Sequence, residues 1–425
     1  MSDIERPAYR KFTSEELMEL VHLFGVSEDG RQAIRSALDR EPTPPQANLF
    51  RYYNERSMVE QLEKEFAAKM GAKYALAVNS GTSALVAALV AAGIGPGAEV
   101  IVPAYTFFAS PASVVVAKAI PVITEIDESL TLDPEEVERS ITPRTKAIMV
   151  VHMNGYNAQM DVLQDIARRH ELALIEDTAQ AAGGTYRGRC LGTWSDLGCF
   201  SFDAYKVMAC GEGGMIVTDD EWLYTRAQSY HDTAACWRPD RFARERRPGE
   251  LFCGENYRMS EMSGAIALAQ LRKLDWVNSA TRGIWRQLQE EIELPKGARW
   301  IAPADPEGTC GYMLGILFPS HEIAREAISA DIGIGGIAGG GTQGSRDWHV
   351  YWYWEHLMEL KAATDDGCPF SCPHVEALPE YTPDMCPRTK DIMLRTGFIG
   401  INPTDTPEWA STYAQRVSEG LARLA

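Results

Sequence analysis

The 425-residue sequence predicts an α/β protein with a mostly parallel central sheet flanked by helices and a smaller α/β domain at its carboxyl end. Two observations carry that prediction. Between Lys73 and Glu176, short apolar runs of strand length alternate with stretches whose apolar residues recur at helical spacing. Hydrophobic residues make up 45% of the chain and charged residues 24%, and the chain is long enough to bury one large core and a smaller one.

In chain order, Ser14 to Leu38 reads as helix, and the proline-rich Glu41-Pro42-Thr43-Pro44-Pro45 reads as an extended arm. Helices are expected at Glu60 to Met70, Ala84 to Ala92, Ala109 to Ala117, Val162 to His170 and Met262 to Leu274. Strands are expected at Lys73 to Val78, Glu99 to Val102, Pro121 to Ile126, Lys146 to Val151 and Leu172 to Glu176, then Leu197 to Phe202 and Met215 to Thr218. This divides the chain into an N-terminal helical arm and linker (1–50), a large domain (51–280) and a small C-terminal domain (281–425). Residues Gly333 to Gly344 are rich in glycine and precede Trp348, Tyr351, Trp352, Tyr353 and Trp354, a pattern that reads as a mobile loop with an apolar lip.

Composition narrows the function. The chain has 41 basic and 59 acidic residues, a net charge of −18, which opposes a polyanion, so no nucleic acid partner is expected. The opening Met1-Ser2-Asp3-Ile4-Glu5-Arg6-Pro7 lacks an apolar signal core, and Ala84 to Ile94 is too short and alanine-rich to span a bilayer. No membrane partner and a cytoplasmic location are therefore expected. Nine cysteines, an odd number, do not read as a disulfide framework. Cys368, Cys372, His374 and Cys386 are irregularly spaced for zinc among Pro369, Pro373 and Pro387, and no metal is expected.

Four local features carry chemistry. Lys206 stands alone between the apolar run ending at Phe202 and the glycine turn Gly211-Glu212-Gly213-Gly214, a setting that would lower its pKa and supply a neutral amine; the alternative is a lysine whose stem packs over a turn. The turn Ser80-Gly81-Thr82-Ser83 between strand and helix suits a phosphate, and equally a plain N-cap. Asp177 closes the apolar strand Leu174-Ile175-Glu176 at its carboxyl end, where open α/β sheets bind ligands, although an aspartate there also caps helices. After Val102, the segment Pro103-Ala104-Tyr105-Thr106-Phe107-Phe108 offers an aromatic to stack on a flat heterocycle, or to pack in the core.

In that order, these features resemble the fold-type I enzymes dependent on pyridoxal 5'-phosphate, and within them the DegT/DnrJ/EryC1/StrS family of sugar and cyclitol aminotransferases. The resemblance runs from about Glu60 to Leu274 on five segments: Asn79-Ser80-Gly81-Thr82-Ser83-Ala84-Leu85, Gly95 to Pro103, Glu176-Asp177-Thr178-Ala179-Gln180-Ala181, Gly211 to Gly214, and Asn256-Tyr257-Arg258-Met259-Ser260-Glu261. It implies that Lys206 forms the Schiff base with the cofactor and that Asp177 pairs with its ring nitrogen. Phe107 would stack on the ring, Gln180 would lie near the 3-hydroxyl, and Gly81, Thr82, Ser83 and Ser201 would hold the phosphate. It further implies a homodimer with shared active sites, in which Asn256 and Arg258 reach the neighbour's phosphate region.

The implied activity is transfer of an amino group from glutamine or glutamate to a keto sugar or keto cyclitol in a biosynthetic pathway, such as one leading to an antibiotic. Lys206 differs from the histidine of the sugar 3-dehydrases, and the run Lys206 to Gly214 is nearer the scyllo-inosose aminotransferases. Asp203 stands where many members carry histidine. Gly339, Gln343, Arg346, Asp347 and His349 are candidates for acceptor contacts, or a surface excursion with structural aromatics. Oxidation, elimination or decarboxylation on the same cofactor, and a non-catalytic regulator on this fold, stay open.

Overall fold

A computed structural model describes residues 11–41, 47–49, 55–236, 240–337 and 346–424. Residues Met1 to Ser57 and Met58 to Ala425 form two compact units. In the first, the expected single helix is two, Ser14–Leu23 and Glu28–Leu38. Gly25 at φ +72° ends one in the left-handed region, and the Ser27 side chain, accepting from Gly30 N–H, starts the next. The prolines at 42, 44 and 45 lie outside the described residues, as do Met1 to Pro7.

The second unit is built on a seven-stranded sheet. Its strands are β1 (Tyr74–Val78), β2 (Glu99–Pro103), β3 (Ile120–Thr124), β4 (Thr145–Val151), β5 (Ala173–Asp177), β8 (Leu197–Ser201) and β9 (Gly214–Thr218), with the short hairpin β6 (Thr185–Tyr186) and β7 (Arg189–Cys190) outside it. The order is β1-β9-β8-β5-β4-β2-β3. Only β9 runs antiparallel to its neighbours; the other six point one way. Consequently the loops after β1, β2, β4, β5 and β8 all leave the same edge, and every strand-end residue singled out in the sequence belongs to that edge.

Both faces of this sheet are covered, so its strands read as apolar runs. The helix Gly81–Ala91 is buried nearly all round and packs with Leu76, Val100, Met149, Ile175 and Ile216 on one face. The opposite face packs in part against Leu163 and Ile166 of the helix Met160–Arg169. Helices Met58–Met70 and Glu261–Leu271 meet near Phe66, Phe200 and Leu268. The Glu261 carboxylate accepts from the Met58 N–H at 2.6 Å, which ties the two helix starts together.

A three-stranded antiparallel sheet follows, in the order β10 (Arg299–Trp300), β11 (Met313–Leu317), β12 (Thr396–Gly400). Its core contains Leu314, Ile316, Phe318, Ile399 and Val417. The helix Leu274–Glu291 is divided between cores: Leu274 packs with Phe200, whereas Ile284, Trp285 and Leu288 pack with β11 and β12.

The aromatic run after residue 346 is mostly core. Tyr351 and Trp354 are 0% and 1% exposed and pack with Ala104, Ile120, Phe370 and Tyr381. The Tyr351 N–H donates to Ala104 O at 3.1 Å, so the run is laid against the end of β2. Burial of large rings outweighs the polar surface expected of a loop. Trp348 is the most exposed of this run at 40%, and the segment that carries it delivers His349 to the sheet edge. Cys386 is buried in the same core, its thiol directed to Ile123 O.

Candidate active site

The carboxyl edge of the sheet encloses a cavity of about 420 Å³ lined by Gly81, Thr82, Phe107, Asp177, Gln180, Ser201 and Lys206 among others. Seven of the ten cofactor-site residues implied by the resemblance thus converge on one space.

Each is placed by its element. The Ser80 side chain caps the helix Gly81–Ala91 by accepting from the Ser83 N–H at 3.0 Å, so the free N–H groups of the first turn face the cavity edge. A Cβ at Gly81 would lie 2.6 Å from Ser201 Cβ, so glycine is what allows this helix start to touch the end of β8. Ser83 is turned elsewhere: its hydroxyl donates to Asn79 Oδ1 at 2.6 Å and meets Ser80 Oγ at 2.9 Å, and it does not line the cavity.

Lys206 sits in a closed loop between β8 and β9. The Phe202 N–H donates to Gly213 O and the Cys210 N–H to Phe202 O, both at 2.8 Å, and Gly211 at φ +91° makes the return. Within it the Lys206 N–H donates to Asp203 O at 3.0 Å. Asp203 also lines the cavity, and its Oδ1 accepts from the Tyr205 N–H at 3.0 Å. Lys206 is half-buried beside Tyr205, which is 95% exposed.

Asp177 ends β5, in register with Val151 of β4 and Cys199 of β8. Burial pushes its carboxyl above the ordinary value, against the pull of the Ser110 hydroxyl, the Ala179 N–H and the charge of Lys206. Phe107 is 43% exposed, with its ring centroid 5.3 Å from that of His349. Gln180 Oε1 accepts from the Asn154 N–H at 3.0 Å and the Tyr312 O–H at 3.3 Å. Asn154 is held at φ +56°.

Several residues at the site were not singled out in the sequence: Thr106, Met153, Tyr205, Glu212 and, behind Asp177, Ser110. The spacing of Thr106 and Ser110, four residues apart at the start of the helix Ala109–Val116, was the available signal for that pair. Of the loop candidates, His349 lines the cavity, while Asp347 accepts from its ring Nδ1 at 2.7 Å. Burial pushes the Asp347 carboxyl up, but its bonds to the ring and backbone N–H of His349 outweigh this and hold it below its usual value. Arg346 pairs instead with Glu355 at 3.1 Å. Gly339 and Gln343 lie outside the described residues.

Asn256 and Arg258 do not line the cavity. Asn256 pairs with Asp232 in an isolated bridge, and the Arg258 guanidinium forms an ion pair with the same buried aspartate, which Arg241 also meets at 2.7 Å. A second cavity of about 590 Å³ shares Gln180, Tyr205, Lys206 and His349 with the first and extends past Asn154, Tyr312 and Asn402. Among the described residues no group of three or more His, Cys, Asp or Glu is placed to hold a metal ion. No helix among them is long and apolar enough to cross a membrane.

Known proteins resemble this chain in sequence and in fold. The chain is 40% identical over 277 residues to a putative L-glutamine:3-amino-2,3-dideoxy-scyllo-inosose aminotransferase of Micromonospora echinospora, covering 65% of each chain. It is 44% identical over 223 residues to the GDP-perosamine synthase of Caulobacter vibrioides, covering 51% of this chain and 57% of that one. The matches therefore span less than two thirds of the length of these curated relatives. In three dimensions it resembles S. venezuelae DesV at 31% identity and TM-score 0.68, covering 91% of this chain and 93% of that one. It also resembles 3-amino-5-hydroxybenzoic acid synthase at 28% identity and TM-score 0.69, covering 86% and 91%. The DegT/DnrJ/EryC1/StrS aminotransferase profile matches residues 51–331, and the chain belongs to that family.

Proposed function

We propose that the protein is a pyridoxal-phosphate-dependent aminotransferase that moves an amino group from glutamine or glutamate to a keto sugar or keto cyclitol in a biosynthetic pathway. The observation that carries this reading is that one cavity holds an amine, a buried strand-end carboxylate, an open aromatic face and a helix N-terminus: Lys206, Asp177, Phe107 and Gly81.

That donor set fits the cofactor. The clasp of Gly81 on Ser201 leaves the first-turn N–H groups and the Thr82 and Ser201 hydroxyls for a phosphate. Ser83 supports that turn through its bonds to Asn79 and Ser80. Asp177 is suited to a protonated ring nitrogen and Phe107 to the face of a flat ring. The Gln180 carbonyl oxygen is already occupied by Asn154 and Tyr312, so its amide N–H groups are left to donate to a ring oxygen. When bound, pyridoxal phosphate supplies an electron sink for charge developing at the amino-bearing carbon. Lys206 would hold it and is also the amine placed to take the proton from that carbon and return it.

The second cavity supports the acceptor class. Its walls offer amide, hydroxyl and imidazole groups on Asn154, Tyr312, Asn402 and His349, a mixed set suited to a ring bearing several hydroxyls. The name of the Micromonospora relative, with glutamine as donor and an aminocyclitol ketone as acceptor, points the same way. A homodimer in which Asn256 and Arg258 serve the neighbour's phosphate site is part of this reading and rests on membership of the family; within their own chain both meet Asp232. Cytoplasmic location fits a small-molecule aminotransferase of this kind.

A single-turnover assay tests the reading. The protein is loaded with pyridoxamine phosphate, offered a panel of keto sugars and keto cyclitols, and followed for return of the absorption of the aldehyde cofactor bound to Lys206. Return with at least one member is expected; return with none would sink the assignment.

A further inference from the structure

A carboxylate that serves a ring nitrogen must be both charged and aimed, yet Asp177 sits in a site that disfavours charge. Its two oxygens have one protein donor each. Oδ1 accepts from the Ala179 N–H at 3.1 Å and Oδ2 from the Ser110 hydroxyl at 2.8 Å. Ser110 is fully buried and its Oγ lies 2.6 Å from Thr106 Oγ1.

Hydrogen counting gives this chain a direction. Each hydroxyl has one hydrogen, and an ionised carboxylate only accepts. The Ser110 hydrogen therefore goes to Asp177, and Ser110 Oγ is left to accept from Thr106. Two hydroxyls in series polarise toward the carboxylate, and the order reverses only when Asp177 carries a proton. The same segment bears Phe107, so the ring-stacking face and the support of Asp177 are set by one turn of chain at the start of the helix Ala109–Val116.

We propose that Ser110, backed by Thr106, is the positioning residue that keeps Asp177 ionised and aimed at the ring nitrogen of the cofactor. The proposal rests on the pyridoxal phosphate reading. The other titratable groups facing Asp177 do not replace that donor. Lys206, from the loop after β8, is the amine committed to the cofactor. The His152 ring, after β4, is engaged by Glu176. The Cys199 thiol on β8 is pushed up by burial and stays neutral. Glu176, the preceding residue of β5, is bound to the segment from Gly192 to Ser195. Without the Ser110 hydroxyl, Oδ2 has no protein donor in a buried site, and Asp177 takes up a proton at higher pH.

The test is equilibrium binding of pyridoxal phosphate to cofactor-free protein, read by absorption and fluorescence across the pH range in which the wild type stays folded. S110A is expected to bind about tenfold more weakly at neutral pH, the size of one lost hydrogen bond to a charged group. The acid edge of its affinity profile is expected to move to higher pH. T106V should move the edge the same way by less, and T106S, which keeps the hydroxyl, should restore it. An S110A profile identical to wild type, or a loss with no displacement of the edge, would overturn the proposal. If S110A does not fold, T106V against T106S decides: no difference between them overturns it. Failure of the wild type to bind at any pH would instead sink the cofactor reading itself, and this proposal with it.

Discussion

Glu176 and Asp177 are neighbours on β5, both buried, and their side chains do opposite things. The strand pleat sends them to different surroundings. Glu176 Oε1 accepts from the Trp194 and Ser195 N–H groups and the Ser195 hydroxyl at 2.8 to 3.0 Å, while Oε2 accepts from the Gly192 N–H at 2.7 Å and faces His152 Nε2 at 3.1 Å. Asp177 has two donors and an opening to the cavity. A carboxylate surrounded by donors is a structural knot that pins the loop before β8. One that is only partly satisfied is left to bind something else, and the cost of its incomplete solvation is borne by the rest of the fold.

Separating the two roles by mutation would sharpen that contrast. On the cavity side, Lys206→Ala should reduce turnover on the order of ten-thousand-fold, the upper range of a proton-transfer group, with an unchanged melting temperature of the cofactor-free protein. Asp177→Asn should lower kcat/KM by about a hundredfold through loss of one charge-assisted bond, with reduced cofactor retention after gel filtration. Should either variant prove chiefly unstable, the assignment of that face to chemistry would be wrong.

On the other side, Glu176→Gln places an amide among N–H donors and should cost about 3 kcal/mol of stability in urea unfolding of the cofactor-free protein. Turnover per folded molecule should change little. Strong loss of turnover with normal stability would break the comparison.

A smaller effect concerns pH. The carboxyl of Asp177 is raised in the folded protein, so above the ordinary aspartate range the folded state retains a proton that the unfolded state has lost, and ∂ΔG/∂pH is negative there. Its stabilising contribution is present at low pH and is lost as pH rises through the folded value. Melting temperatures of cofactor-free wild type and Asp177→Asn should therefore diverge with rising pH, the wild type losing ground. Smallest of all, Tyr312→Phe removes one 3.3 Å bond to Gln180 and should weaken cofactor binding by about 1 kcal/mol or less in the same titration.

Legibility followed sequence distance. Asp177, Phe107 and Lys206 could be read because an apolar run marks a strand, and the residue that closes it or the short loop that follows lies at the sheet edge. Ser83 sat in the right motif, but its hydroxyl is taken by Asn79 and Ser80, a competition inside one helix turn that composition does not reveal. The run of aromatics after Trp348 looked like an exposed lip because no local feature shows that Ala104 and Ile120, more than two hundred residues earlier, are waiting to cover Tyr351 and Trp354. Ser110 carried no motif of its own; its meaning comes from Asp177, 67 positions away.

The sequence by itself determined the alternation of strands and helices, the strand-end chemistry and the family, because strand period, capping and glycine turns are local properties of the chain. Only the tertiary structure decided the direction of β9, the division of the helix Leu274–Glu291 between two cores, and the meeting of Tyr312 and His349 with Gln180 and Phe107. These contacts join residues 132 or more positions apart across Gln180 and Tyr312, and such pairs form only when burial of the surrounding apolar surface outweighs the entropy of closing the chain between them.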